Sequence, residues 1–313
     1  MSSFIQFISY SKAVYPSYLV LFQRYYCPAP TAQVKIRPDR VDNNRIKASM
    51  ALVAGYGSLP DAALQALSEL TSREDPAIIG IILTGSAARG MATEHSDVDV
   101  IVVRDEAESA REVKRSSVID EIPMTLAELE TVKAIGSDGA WDRWSFAWAQ
   151  VLLDSSGGRI SDAVHRQATL SDQEIRDLLI GRSRLDEYIN FTYRALKSHR
   201  DGLTEAARLD SAESVASMLD VVFALSGRVR PYNKYLTWEL SEHPLPGADW
   251  QDGRLLRRVN GLLDGNEATV RELFLEVERE CRTYDQTSGQ SVTSVVIDAW
   301  GEELRLLRGL LDP

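Results

Sequence analysis

The sequence predicts an α+β fold: a mixed β-sheet with flanking helices, followed by an all-α helical bundle. Two observations carry the sheet and one carries the bundle. Apolar runs at residues 78–84 and 97–103 bracket a Gly-Ser turn and a short polar excursion, the pattern of two buried strands joined locally. A further run at 116–124, after a charged stretch at 104–115, reads as a third strand. From Ser171 onward the apolar residues move to helical spacing, and no strand pattern follows about residue 165. The expected organisation is an extension over 1–43, a sheet domain over 44–165 and a helical domain over 166–313.

Composition narrows the class. The 313 residues suit two domains of ordinary size, and 44% hydrophobic residues are enough for real cores. No run of eighteen apolar residues occurs, so no membrane span is expected and a cytoplasmic setting is. A net charge of −11 disfavours nucleic acid as the main partner and suits a small or cationic one. Cys27 and Cys281 lie far apart, and His95, His165, His199 and His243 form no ligand spacing, so neither a disulfide nor a zinc site is expected.

Residues 1–38 hold no acidic residue but carry Lys12, Arg24, Lys35, Arg37 and many Phe and Tyr. They lack the clean apolar stretch of a secretory signal and are read as a dispensable or non-native extension, punctuated by Pro28, Pro30 and Pro38. Helices are expected at 44–56 and 60–73, the second from Ala62, Leu64, Leu67 and Leu70 with Pro60 in its first turn. After the third strand, Thr125 opens a helix. Residues 141–154, with Trp141, Trp144 and Trp148, read as a helix or strand that ends in a Ser-Gly turn. These tryptophans are expected to be core between domains, with a stacking wall as the sharper reading. Ser171 and Glu174 form a capping box that opens a helix running to Ser198. Further helices are expected at 203–226, ended by Gly227, and at 234–241, 252–264, 266–283 and 291–311.

The chemistry concentrates between the first two strands. Asp97 and Asp99 are two apart on one strand, so they share a face and repel each other unless a cation intervenes. A hard divalent ion with oxygen ligands is the natural partner. Gly85 lets backbone approach a ligand closely, Ser86 offers a hydroxyl and an N–H, and Arg89 adds positive charge. On the third strand Asp120 shares a face with Val118, Ile122 and Met124, while Glu121 faces away.

Gly85-Ser86, ten residues, then Asp97-Val98-Asp99 resembles the signature of the DNA polymerase β-like nucleotidyltransferase superfamily. Within it, Gly-Ser-Ala-Ala-Arg-Gly ahead of Ser-Asp-Val-Asp is most similar to the bacterial aminoglycoside and lincosamide nucleotidyltransferases and their uncharacterised relatives. The resemblance implies Mg²⁺ and an NTP, ATP by expectation, with NMP moved to a hydroxyl of a small molecule such as an aminoglycoside-like antibiotic. It implies Asp97, Asp99 and Asp120 as metal-binding and catalytic residues, with third ligand and general base both open for Asp120. It also implies Gly85, Ser86 and Arg89 on the triphosphate, joined by a lysine of the second domain, for which Lys234 in the segment Arg228–Tyr235 is the candidate. Arg194 and Lys197 form a reserve cationic pair, and Asp154 and Glu187 are reserve bases. The alternatives are nucleotidylation of a protein or tRNA, a non-catalytic nucleotide-binding regulator, and a defence or biosynthetic role.

Overall fold

The computed structural model describes residues 59–105, 112–137 and 139–310. The extension and the helix expected at 44–56 lie outside them. Helix α1 (Asp61–Thr71) buries Ala63, Leu67 and Leu70, the stripe that its spacing predicts. Four strands follow: β1 (Ile78–Leu83), β2 (Val98–Arg104), β3 (Ile119–Thr125) and β4 (Gln150–Asp154). Their order is β3-β2-β1-β4; β1 runs antiparallel to both neighbours, and β2 and β3 are parallel, so the sheet is mixed.

Alternation along the strands makes two apolar faces. One, with Ile81, Leu83, Val98, Val100 and Val102, packs on α1. The other, with Ile82, Ile101 and Val103, packs on α3 (Leu126–Glu130) and α5 (Arg159–Ala168). Strand β3 begins three residues later than the sequence suggests. The Ser116 hydroxyl donates to the Ile119 carbonyl (2.8 Å) and accepts from the Ile119 N–H (2.9 Å), which folds the expected first residues into a turn. Thr125 caps α3 with the reciprocal Glu128 box. Residues 140–154 hold both readings in series: a turn, α4 (Arg143–Phe146), a reversal at Trp148 with φ +63°, then β4.

In the helical half two expected helices are broken. The stripe from Ser171 divides into α6 (Asp172–Arg176), a π turn (Asp177–Gly181) and α7 (Arg184–Arg200), with Ser183 at φ +55°. Ile175 of α6, Leu178 and Leu179 of the π turn, and Leu185 and Leu196 of α7 are buried in one core, so periodicity alone does not separate the pieces. The expected 291–311 helix is α12 (Thr293–Asp298) and α13 (Leu304–Leu307), split by a turn over Gly301–Glu303 with Gly301 at φ +52°. The others follow expectation: α8 (Thr204–Leu225), α9 (Leu236–Glu242), α10 (Arg254–Leu263) and α11 (Glu267–Ser288), which runs five residues longer than read. No helix among the described residues is long and apolar enough to cross a membrane.

The two halves meet on aromatic side chains. Trp144 stacks on Tyr235 (centroids 4.9 Å apart), and Trp148 lies flat on His243 at 3.4 Å while donating to Glu239 Oε2 at 2.8 Å. Fully buried Arg143 ties the seam, donating to the Gln167 and Thr169 carbonyls (3.0 and 2.7 Å) and to Glu174. Burial of these groups against one another sets how the helical half sits over the end of the sheet.

Candidate active site

The site forms where β1 ends. The Thr84 N–H donates to the Asp99 carbonyl (2.9 Å), which holds the strand end against β2. The chain then turns through Gly85, at φ +63°, into one helical turn, α2 (Gly85–Ala88). A Cβ on Gly85 would lie 3.1 Å from Asp99 Cγ and nearer still to Oδ2. Glycine is therefore required twice, for the backbone conformation and for the approach of the carboxylate.

Parallel pairing of β2 with β3 puts Asp120 opposite Asp99. Asp97 is two residues earlier on the same face. One carboxylate oxygen from each of the three lies within 4.8 Å of the others. Glu121 faces away and is clasped by Arg73 through two bonds of 2.8 and 2.9 Å. Burial, then the charges of Asp97 and Asp120, push the Asp99 carboxyl above its ordinary range; Lys234 and Arg89 pull the other way. Asp120 accepts from the Ser116 N–H at 3.2 Å, and the exposed Arg115 stands 3.8 Å off. Three crowded carboxylates, oxygen donors only, beside a glycine with no side chain to fill the space, suit a hard divalent cation. The trio could hold one.

Lys234 comes from the helical half. It is exposed, its Nζ is 5.0 Å from the Tyr235 ring, and its charge reaches Asp99. Ser86 is buried behind Gly85, and its hydroxyl makes no hydrogen bond among the described residues. Gly85, Ser86, Asp97, Asp99, Asp120 and Lys234 are thus brought together.

Arg89 is not presented to a ligand. It is 3% exposed, and its guanidinium donates to the Gly85 carbonyl (2.5 Å) and to those of Trp144, Ser145 and Ala147 (3.1, 3.2 and 2.6 Å). It also lies 4.1 Å over the Trp144 ring. Burial lowers its pKa from the ordinary value. The guanidinium instead clamps the glycine turn to the Trp144 segment, its two terminal nitrogens taken by four carbonyls, while the buried Nε has no partner among the described residues.

The reserve residues lie elsewhere or are engaged. Asp154 pairs opposite Gly80, at the other end of the sheet from Gly85. Burial raises its carboxyl, but bonds from the Ser156 and Ser161 hydroxyls and N–H groups outweigh this and hold it below the ordinary range. It caps a loop and is no base. Glu187 pairs with Arg184 (2.5 Å) and Arg194 with Asp210 (2.9 Å); Lys197 is exposed on α7. His95 is an exposed loop residue beside Glu94. Of the three tryptophans, Trp144 and Trp148 are seam packing, and Trp141 is 68% exposed. Sequence reasoning missed Tyr232, whose hydroxyl donates to the Trp141 carbonyl (2.9 Å) and whose ring meets Trp144 edge-on at 5.2 Å. Its place two residues before Lys234 was the available signal.

Residues 64–135 match the family model of the nucleotidyltransferase domain, a span that includes Gly85, Ser86 and all three aspartates. No curated protein matches the chain. Among solved structures, a nucleotidyltransferase-like protein from Exiguobacterium sibiricum 255-15 aligns over 86% of this chain and 81% of its own, at 13% identity and a TM-score of 0.35. That likeness is too distant to bear on the site.

Proposed function

From the nucleotidyltransferase domain matched by residues 64–135, we propose that this chain moves an NMP from an NTP, ATP by expectation, to a hydroxyl of a small molecule, with Mg²⁺ as cofactor. The observation that carries the proposal is the convergence of Asp97, Asp99 and Asp120 beside Gly85, with the charge of Lys234 acting on Asp99 from the helical half. The three aspartates would hold the ion. Bound there, it would neutralise phosphoryl charge as the bond to the leaving group breaks.

The rest falls to the chain's own residues. Gly85 leaves room for backbone to approach the triphosphate, and the unengaged Ser86 hydroxyl is free to donate to it. Lys234 offers its charge to the departing pyrophosphate. The acceptor oxygen attacks the α-phosphorus, the bond from that phosphorus to the bridging oxygen breaks, and the hydroxyl proton leaves for a carboxylate. Asp120 suits that last role, since it joins the trio from the neighbouring strand. The Arg89 clamp keeps the glycine turn in place while this happens.

The test is to incubate the protein with Mg²⁺, α-labelled NTPs and a panel of small hydroxylated molecules, tRNA and protein, following label transfer and pyrophosphate release. Label on a small molecule, lost in Asp97→Ala and Asp99→Ala with the fold intact, is the expected result. Activity retained in either variant overturns it.

A further inference from the structure

A cavity of about 1170 Å³ lies in the seam, between residues 134–137 with Ala140 and Trp141, α6 with its π turn, and residues 228–233. That is somewhat above the roughly 300–1,000 Å³ that small-molecule sites usually occupy. It adjoins the candidate active site through three contacts. Its wall includes Tyr232 and Asn233, the two residues before Lys234; Tyr232 meets Trp144 edge-on, and Trp144 lies under Arg89, which holds the Gly85 carbonyl.

The wall has a distinct chemistry. Trp141 offers an indole that is 68% exposed, tilted toward Tyr232 with centroids 5.8 Å apart. Leu170, Leu178, Val229 and Pro231 add apolar surface. Every carboxylate in the lining is already engaged. Glu174 takes Arg143 and caps Ser171; Asp220 lies between Arg184 (3.3 Å) and Arg230 (3.4 Å); Asp177 accepts from the Gln173 amide at 2.8 Å. Of the lining arginines, Arg228 is paired with Glu239, and Arg184 and Arg230 are paired with Asp220. Arg182 differs. Its guanidinium lies against Gly136 and makes no hydrogen bond or ion pair among the described residues. Among the described residues Arg182 is thus the one lining arginine without a carboxylate partner, next to an open aromatic face, and Asp177 the one lining acid without a cationic partner.

We propose that this cavity receives the acceptor of the reaction, and that the acceptor is a hydroxylated, ring-bearing carboxylic acid, its ring on Trp141 and its carboxylate on Arg182. The proposal rests on the nucleotidyl-transfer reading above and selects within it. A polycation of the aminoglycoside kind meets four arginines here against three acids, of which only Asp177 has no cationic partner among the described residues. A planar carboxylate matches the guanidinium fork of Arg182, and a flat ring matches the indole.

The test uses three probes that differ chiefly in charge: para-hydroxyphenylacetate, tyramine and tyrosol, with kanamycin as the polycation. Binding to the full chain is followed by ligand-observed NMR without nucleotide. The acid should bind most tightly and kanamycin least. Arg182→Glu should weaken the acid by about tenfold or more and narrow or reverse its advantage over tyramine. Trp141→Ala should weaken all three ring-bearing probes together. Both side chains are exposed, so neither variant threatens the fold. Equal binding of acid and amine, kanamycin binding as tightly as the acid, unchanged acid binding in Arg182→Glu, or no binding by any probe overturns the proposal. Mn²⁺ binding is measured in the same samples and should be unchanged in Arg182→Glu. Loss of metal binding in the wild type would instead remove the nucleotidyl-transfer reading while the cavity result stands.

Discussion

Replacing Gly85 by alanine should damage catalysis far more than folding. The residue sits at φ +63°, where an L side chain costs about 1–2 kcal/mol. The new methyl would stand 3.1 Å from Asp99 Cγ and 3.2 Å from Asp99 Cβ, with Oδ2 closer still. The carboxylate must therefore rotate off its rotamer, at about 0.5–1.5 kcal/mol. Together these give about 1.5–3.5 kcal/mol, a fall in Tm of several degrees at roughly 2–4 °C per kcal/mol. The displaced group is one of three that must converge to hold the cation, and a shift of about 1 Å at a reacting centre costs on the order of 100-fold in rate. Thermal unfolding and pyrophosphate release, measured side by side on wild type and Gly85→Ala, separate the two effects. A variant that keeps wild-type turnover and wild-type Mn²⁺ affinity would refute the idea that Gly85 is kept free of a side chain for the sake of Asp99.

Three further outcomes are expected. Arg89→Lys should lower stability by about 2 kcal/mol or more in denaturant unfolding, because one ammonium cannot serve the carbonyls of Gly85, Trp144, Ser145 and Ala147 or cover the indole. Asp120→Asn should cut turnover by about 100-fold and alter the rate–pH profile; an unchanged profile would remove Asp120 from the proton's path. His243, packed on Trp148 and near Arg228, has its pKa lowered by burial and then by that arginine, from 6.5 to about 4. Between those values the unfolded chain binds the proton and the folded chain does not. Its contribution to stability is therefore complete above pH 6.5 and is lost as the pH falls toward 4. Tm should fall as the pH is lowered from 6.5 to 4 in wild type, and less so in His243→Asn.

What the sequence made legible was local. The acid pair, the glycine turn and the strand on either side lie within about twenty-five residues, and strand alternation alone puts Asp97 and Asp99 on one face; Asp120 joins them through the β2–β3 register, which only the resemblance anticipated. The capping boxes at Thr125 and Ser171 follow from residue types at fixed offsets. What the sequence concealed depends on contacts across long separations. Arg89 looked like a phosphate ligand because nothing nearby in the chain shows that the carbonyls of Trp144 and Ala147 will surround it. Asp154 looked like a spare base because its register opposite Gly80 is set by β4, a strand that could equally have been a helix. The breaks at Ser183 and Gly301 were hidden because both sides of each break bury residues in the same core. Lys234 was a candidate from the family resemblance and its basic, aromatic surroundings; its electrostatic influence on Asp99 follows from the packing of the two halves, Trp144 against Tyr235.

The account stands or falls on whether the three aspartates grip a divalent cation together with a nucleotide. Mn²⁺ titration followed by electron paramagnetic resonance, with and without a non-hydrolysable NTP, measures this most directly. Wild type should sequester Mn²⁺, more tightly with the nucleotide present, and Asp97→Asn and Asp99→Asn should each lose that binding while unfolding cooperatively. Free Mn²⁺ throughout the wild-type titration, or equal sequestration by both asparagine variants, would contradict it.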